Sequence, residues 1–351
     1  MAKGDNDEIS ARYEKRELMR ITRDMLYKLA EDTVAERAES DPAIIAAYLV
    51  GSVWDGEPVL GGTADIDLTF VYSTVSQYRE IVRLTDDVHL DILHHEKRRY
   101  EPARELRSDP WIGTTIYACK PLYDPEHFLD FTQASVRGLF NHPDNVLARA
   151  VPLLETARNT WIDFQTHPPE PGPAQVWDYL DALEHAANAI ACLTGPPLTE
   201  RRLLMSFSTS AESVGRPGLF QGLLGLVGGI DLDPEMIKGW LPDWEEAYDL
   251  AWDSSHPPVH LHRYRRAYHR RGFDGLLAED QPQVALWPLL RTWTMAARQL
   301  PPDAAPLKAW RVACEGLNLT GKGFEERLAG LDAYLDTANE VIENWHQGGE
   351  E

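Results

Sequence analysis

The sequence predicts an α/β + α protein: a small mixed-sheet domain over residues 1–130, opened by a helix, then an all-α helical domain over 131–351. Three observations predict it. Short apolar runs bounded by turn residues alternate with amphipathic stretches as far as about Asp130. Beyond that point apolar residues recur at intervals of three and four. Nine of the eleven tryptophans also lie beyond residue 130, where a helical core needs large side chains. At 351 residues and 43% hydrophobic, the chain can supply a core to each of two domains.

The first segment, residues 7–40, carries Leu18, Ile21, Met25, Leu29 and Val34 at helical spacing, and Asp41-Pro42 ends it. Four strand-like runs follow at 46–50, 66–72, 88–93 and 114–122, with residues 75–84 expected to form a helix between the second and third. In the second half, Val176, Leu180, Leu183, Ala187 and Ile190 line one face of a helix that stops before Gly195-Pro196-Pro197. Phe324, Leu328, Leu331, Leu335, Ala338, Ile342 and Trp345 mark a long final helix, and Gly321-Lys322-Gly323 reads as the turn before it. His-Pro-Pro at 167–169 and again at 256–258 marks loops between helices.

Composition excludes several classes of function. A formal charge of −22 opposes binding to a long polyanion, so nucleic acid is an unfavoured partner and a small-molecule or protein substrate is expected. No run reaches the roughly 18 apolar residues of a membrane span. The polar, acidic N-terminus is unlike a signal peptide, so a cytoplasmic location without membrane association is expected. Cys119, Cys192 and Cys314 are far apart and read as reduced packing residues, and the twelve histidines show no zinc spacing.

One stretch, VGSVWDGEPVLGGTADIDLTFVY, breaks the pattern of buried strands. Alternation along a strand puts Asp65, Asp67 and Thr69 on one face and Ile66, Leu68, Phe70 and Tyr72 on the other. Two carboxylates about 6–7 Å apart at Cα repel unless a cation or a proton intervenes. Hard oxygen donors favour Mg²⁺. The run 88–93 alternates likewise, with Asp91 opposite in face to Leu90 and Ile92, so a neighbouring strand can bring a third carboxylate. Such a cluster suits two ions about 3.5–4 Å apart. Gly51 permits close backbone approach, and Ser52 offers a hydroxyl and an N–H to phosphate, to which a helix starting just after it would add its positive end. The spacer 53–60, with the acids Asp55 and Glu57, reads as a solvated turn. Gly61-Gly62 supplies the turn into the aspartate strand.

Gly51-Ser52, twelve intervening residues, Asp65-Ile66-Asp67-Leu68 and then Asp91 on a later strand resemble the nucleotidyltransferase superfamily related to DNA polymerase β. The strand and turn Cys119-Lys120-Pro121-Leu122-Tyr123-Asp124-Pro125 are similar to those closing its catalytic domain. The helical second half resembles that of bacterial aminoglycoside and other small-molecule adenylyltransferases. The chain departs from these at Ala64, where Ser is common, and at Asp91, where Glu is common. The resemblance implies transfer of a nucleoside monophosphate, AMP from ATP or another nucleoside triphosphate, to a small-molecule hydroxyl with release of pyrophosphate. It implies that Asp65 and Asp67 hold two Mg²⁺ ions, that Asp91 binds metal or takes the hydroxyl proton, and that Gly51 and Ser52 grip the terminal phosphates. Two alternatives keep the scaffold: a catalytically silent, antitoxin-like regulatory module, and an enzyme modifying a protein or tRNA.

Other signals stay outside the site. His94-His95 reads as surface or hydrogen-bonding residues. The segment 262–271, with five arginines and no acid, reads either as a solvated helix face pairing with carboxylates or as a patch for triphosphate or nucleic acid. Arg201-Arg202 is a second candidate for triphosphate.

Overall fold

The structure, a computed structural model, describes residues 21–74, 77–167, 170–254 and 257–348. A five-stranded mixed sheet is accompanied by many helices. The chain divides into two compact units, Met1–Phe140 with Tyr264–Gly275, and Asn141–Arg263 with Leu276–Glu351. The first stretch runs past the expected boundary at 130 because the Phe128–Arg137 helix and Phe140 send Leu129, Val136 and Phe140 into the core under the sheet. The later segment, Tyr264–Gly275, rejoins this unit.

In the first unit the helix Arg23–Ser40 starts at Thr22, whose hydroxyl accepts from the Met25 N–H at 3.3 Å, and Arg37 lies in its last turn. The expected extension over residues 7–20 lies outside the described residues. The strands are β1 (Ile44–Val50), β2 (Ala64–Tyr72), β3 (Tyr78–Arg83), β4 (Val88–Glu96) and β5 (Lys120–Tyr123), in the order β3-β4-β2-β1-β5. β2 and β4 pair in parallel; the other pairs are antiparallel.

One face of the sheet packs Ile66, Leu68, Phe70, Leu90 and Ile92 against Leu26, Leu29, Ala30 and Val34 of the first helix. The other packs Ala46, Tyr48 and Val71 against Tyr100, Ile116, Leu129 and Val136. Burial on both sides explains why β1 reads as an uninterrupted apolar run. A buried polar chain joins Tyr48 to the Tyr100 hydroxyl at 2.9 Å and Tyr100 to His95 Nδ1 at 2.7 Å.

Two expected elements exchange type. Within the stretch expected as a helix over 75–84, Tyr78–Arg83 is the edge strand β3; residues 75 and 76 lie outside the described residues. The tight turn after it decides this: Leu84 and Thr85 donate backbone N–H groups to the Val88 carbonyl, and Thr85 Oγ1 accepts from the Asp87 and Val88 N–H groups. That turn folds the segment back along β4 as a hairpin. Conversely, the strand expected over 114–122 is mostly the helix Ile112–Ala118, and only Lys120–Tyr123 is extended. Asp109 Oδ1 accepts from the N–H groups of Trp111 and Ile112 at 2.8 and 2.7 Å and so starts the helix. Gln133 caps its other end by donating to the carbonyls of Ile116 and Cys119.

The second unit is helical. The expected helices appear as Pro173–Ala191 and Phe324–Gly348, with a short 3₁₀ turn over Gly321–Gly323 before the latter. Trp244, Trp287, Trp293 and Trp310 are fully buried, as packing residues should be. Trp244 and Trp310 donate to Thr292 and Thr294 hydroxyls at 2.9 and 3.1 Å. The three cysteines are buried and free. Among the described residues no helix is long and apolar enough to cross a membrane.

Two predictions follow from the first unit's packing. Gly61 has φ +59°, and a Cβ there would lie 1.8 Å from the Arg271 carbonyl oxygen. Gly61→Ala should therefore lower unfolding free energy by more than about 1 kcal/mol in urea denaturation. Burial pushes the Glu80 carboxyl up, but His94 and a two-pronged contact from Arg37 outweigh it and hold it at about 2. A depressed acid contributes stability above its unfolded value of 4.5, lost as pH falls towards about 2. Glu80→Gln should accordingly destabilise the protein at neutral pH, and the difference from wild type should vanish in acid melts near the lower limit.

Candidate metal centre

The parallel register of β2 and β4 sets Asp67 beside Asp91 and Asp65 beside His89. Alternation puts all four on one face. Carboxylate oxygens of Asp65, Asp67 and Asp91 lie within 4.8 Å of one another. Asp91 is buried, at 3% exposure, while the other two are half-buried. The structure thus brings the three expected acids together.

Gly51 follows β1 directly, next to the Val50–Asp67 pair. Its φ is +72°, and a Cβ would stand 2.1 Å from Asp67 Oδ2, so the aspartate carboxylate fills the space a side chain would need. Ser52 lies beside it, half-buried. No helix starts after Ser52. Residues 51–56 make a turn in which the Gly51 carbonyl accepts from the Trp54 and Asp55 N–H groups at 3.1 and 3.0 Å. Trp54 Nε1 donates to the Ala118 carbonyl at 2.8 Å and Val53 is buried, which ties the turn down. Any phosphate here would meet turn amides, without the positive end of a helix.

Burial, and next the charges of Asp65 and Asp91, push the Asp67 carboxyl well above the usual range despite Arg265 and Arg79. Negative charge at this point is under-compensated. That excess, an all-oxygen donor set and the side-chain-free wall at Gly51 fit a hard divalent cation such as Mg²⁺.

Two arginines share the cluster. Arg79 of β3 forks onto Asp91, Nε to Oδ1 at 2.6 Å and Nη2 to Oδ2 at 2.5 Å. Arg265 donates from Nη1 to Asp91 Oδ2 at 2.8 Å and lies 3.5 Å from Asp65 Oδ2. Tyr268, one helical turn on, donates its hydroxyl to Asp65 Oδ2 at 2.7 Å. Asp91 Oδ2 therefore faces two guanidinium groups, and Asp65 and Asp67 are the pair best placed to hold an ion first. Arg271 pairs with Asp87 and anchors the same helix, Arg265–Leu277, at the foot of β4.

Of the two readings of the basic segment, the pairing with carboxylates describes Arg265, although its side chain is buried rather than solvated. Sequence reasoning left Arg79, Arg265 and Tyr268 out of the site. Arg79 was legible in principle, because alternation in a hairpin with β4 aims it at the face of Asp91. Arg265 and Tyr268 lie in the basic segment 262–271 already singled out, but nothing local places them at the acids. Arg201 and Arg202 form a short 3₁₀ turn in the other unit. His94 and His95 are buried, which corrects the surface reading, and both are hydrogen-bonded: His94 to Tyr72 at 3.0 Å, His95 to Tyr100. Burial, with Arg265 next, pulls His89 down to about 4 and leaves it neutral.

No protein-family model matches the chain, and no curated protein does.

The under-compensated charge has a measurable consequence. A carboxyl raised in the native state keeps a proton that the unfolded chain has released, so metal-free stability should fall as pH rises above the ordinary value of 3.8. Asp67→Asn should flatten that slope and raise the metal-free melting temperature at neutral pH; added Mg²⁺ should raise the melting temperature of wild type and leave that of the variant unchanged, all readable by calorimetry.

Proposed function

We propose that the protein is a divalent-metal-dependent nucleotidyltransferase that moves a nucleoside monophosphate, AMP from ATP in the first instance, onto a hydroxyl of a small molecule with release of pyrophosphate. The observation supporting this most is the convergence of Asp65, Asp67 and Asp91 on one sheet face beside Gly51. In this reading Asp65 and Asp67 hold Mg²⁺, which when bound neutralises the triphosphate and polarises the α-phosphoryl group. Gly51 and Ser52 present turn amides and a hydroxyl to the terminal phosphates. Arg79 and Arg265, positioned by Asp91, face the same region with guanidinium groups suited to phosphate oxygens. Asp91 so engaged is a poor proton acceptor, and its part is to position cations. The cost of holding charge in a partly buried site is met before substrate arrives, which is how such a site lowers a barrier.

A second reading is a catalytically silent binding module. The observation favouring it is the double arginine contact on Asp91, which satisfies that carboxylate without metal. Labelled ATP, GTP, CTP and UTP with Mg²⁺ and a panel of hydroxyl acceptors separate the two. The enzyme releases pyrophosphate, and Asp65→Asn or Asp67→Asn lowers the rate by roughly 10²–10³-fold or more while the melting profile persists. Nucleotide binding without turnover in wild type identifies the silent module.

A further inference from the structure

A cavity of about 400 Å³ adjoins the carboxylate cluster within the same unit. Its floor includes Tyr48 and Thr69, both 1% exposed, and its rim carries Tyr78, Arg99 and Trp111, with Arg79 on the side of the acids. Thr69 stands two residues beyond Asp67 on β2, and Leu93, another lining residue, two beyond Asp91 on β4. The cavity therefore begins one step along the strands from the acids. Gly51 stands on the β1 side of the cluster, against Asp67, and its neighbour Val50 also lines the cavity. Because β1 runs antiparallel to β2, the turn that Gly51 begins leads away from Thr69. In an in-line displacement the entering oxygen and the leaving pyrophosphate take opposite sides of the phosphorus. With the terminal phosphates held by the turn at Gly51-Ser52, the cavity, which extends along β2 and β4 away from that turn, is the side open to an entering hydroxyl.

The lining decides what kind of molecule brings that hydroxyl. Among the described residues the wall contains two arginines, and no aspartate or glutamate. Arg79 is balanced by Asp91, whereas Arg99 is exposed and makes no ion pair with a described residue. Tyr78 and Trp111, 54% and 45% exposed, present aromatic surface beside it. His95, pulled down to about 4 chiefly by burial, adds no positive charge at neutral pH. The overall charge of −22 would attract a cation, but this wall is locally cationic and aromatic.

We infer that the acceptor is an anionic, hydroxyl-bearing small molecule, a carboxylate with an aromatic or similarly flat body, whose acid group pairs with Arg99 while its hydroxyl points to the cluster. This rests on the proposed reaction. The acceptor oxygen bonds to the α-phosphorus as the bond from that phosphorus to the bridging oxygen breaks; pyrophosphate leaves with the electron pair and the hydroxyl proton passes to water. A polyamine sugar would find no counter-charge in this wall.

The test uses the full chain and two probes with the same phenol body and opposite charge, 3-(4-hydroxyphenyl)propanoate and tyramine, titrated calorimetrically. The acid should bind about tenfold or more tighter than the amine, Arg99→Lys should keep that order and Arg99→Glu should reverse it. Tighter or equal binding of the amine to wild type, no measurable binding of the acid, or an order indifferent to Arg99→Glu overturns the inference. Pyrophosphate release is followed separately with both probes. Selective binding of the acid with no release from any nucleotide defeats the reaction but leaves the cavity assignment. Release with the amine, while the acid does not bind, leaves the reaction and defeats the anionic acceptor.

Discussion

The parallel pairing of β2 with β4 is the constraint on which the acidic face depends. It sets Asp67 against Asp91 in register, with Asp65 on the same face two residues earlier. Three like charges held within 4.8 Å in a partly buried site cannot stand without counter-charge. Arg79 and Arg265 supply part of it, and the raised Asp67 carboxyl records the part left over. Other local features serve the same arrangement. β3 has to be a strand for Arg79 to reach Asp91, and Gly61 has to lack a side chain for the Arg271 backbone to close upon it.

The two sheet faces solve different problems. The first is sealed by the Arg23–Ser40 helix through an apolar interface, which supplies stability through burial. The second is sealed only in part, by the helices Ile112–Ala118 and Phe128–Arg137 and the core around Tyr100. Where the carboxylates begin, apolar packing has to stop, because burying a charge against hydrocarbon costs several kcal/mol. The cavity lies at this change from packing to charge, between an aromatic floor and a cationic rim. The opening there is a consequence of the sheet carrying two kinds of surface on one side.

Much of this was legible in residue order. Alternation in Asp65-Ile66-Asp67-Leu68 assigned the acids and the apolar residues to opposite faces, and the same logic placed Asp91. The threefold and fourfold spacing in 176–190 and 324–345 identified two helices of the second unit. The errors arose where a short segment fits two periods. Tyr78, Ile81 and Val82 suit a helix or a strand, and the Thr85–Val88 turn chose the strand. Residues 114–122 are apolar enough for a strand, yet Asp109 and Gln133 cap a helix there from outside the segment. The spacer after Ser52 is a turn, as its residues suggested, but what ties it down is out of reach of the local sequence: Trp54 donates to the Ala118 carbonyl, a partner sixty-four positions away.

Residue order by itself determined the pairing of a glycine-serine turn with an acidic strand, the face on which each carboxylate stands and the helical character of the second half. These follow from side-chain periodicity and backbone freedom, which act over a few residues. Only the tertiary structure decided which cations meet the acids, that Tyr264–Gly275 belongs with the sheet, and that a cavity without carboxylates opens beside the cluster. The physical reason is range. Electrostatic neutralisation and the exclusion of volume depend on distance in space, and Arg265 and Asp91, 174 positions apart in the chain, are 2.8 Å apart in the fold.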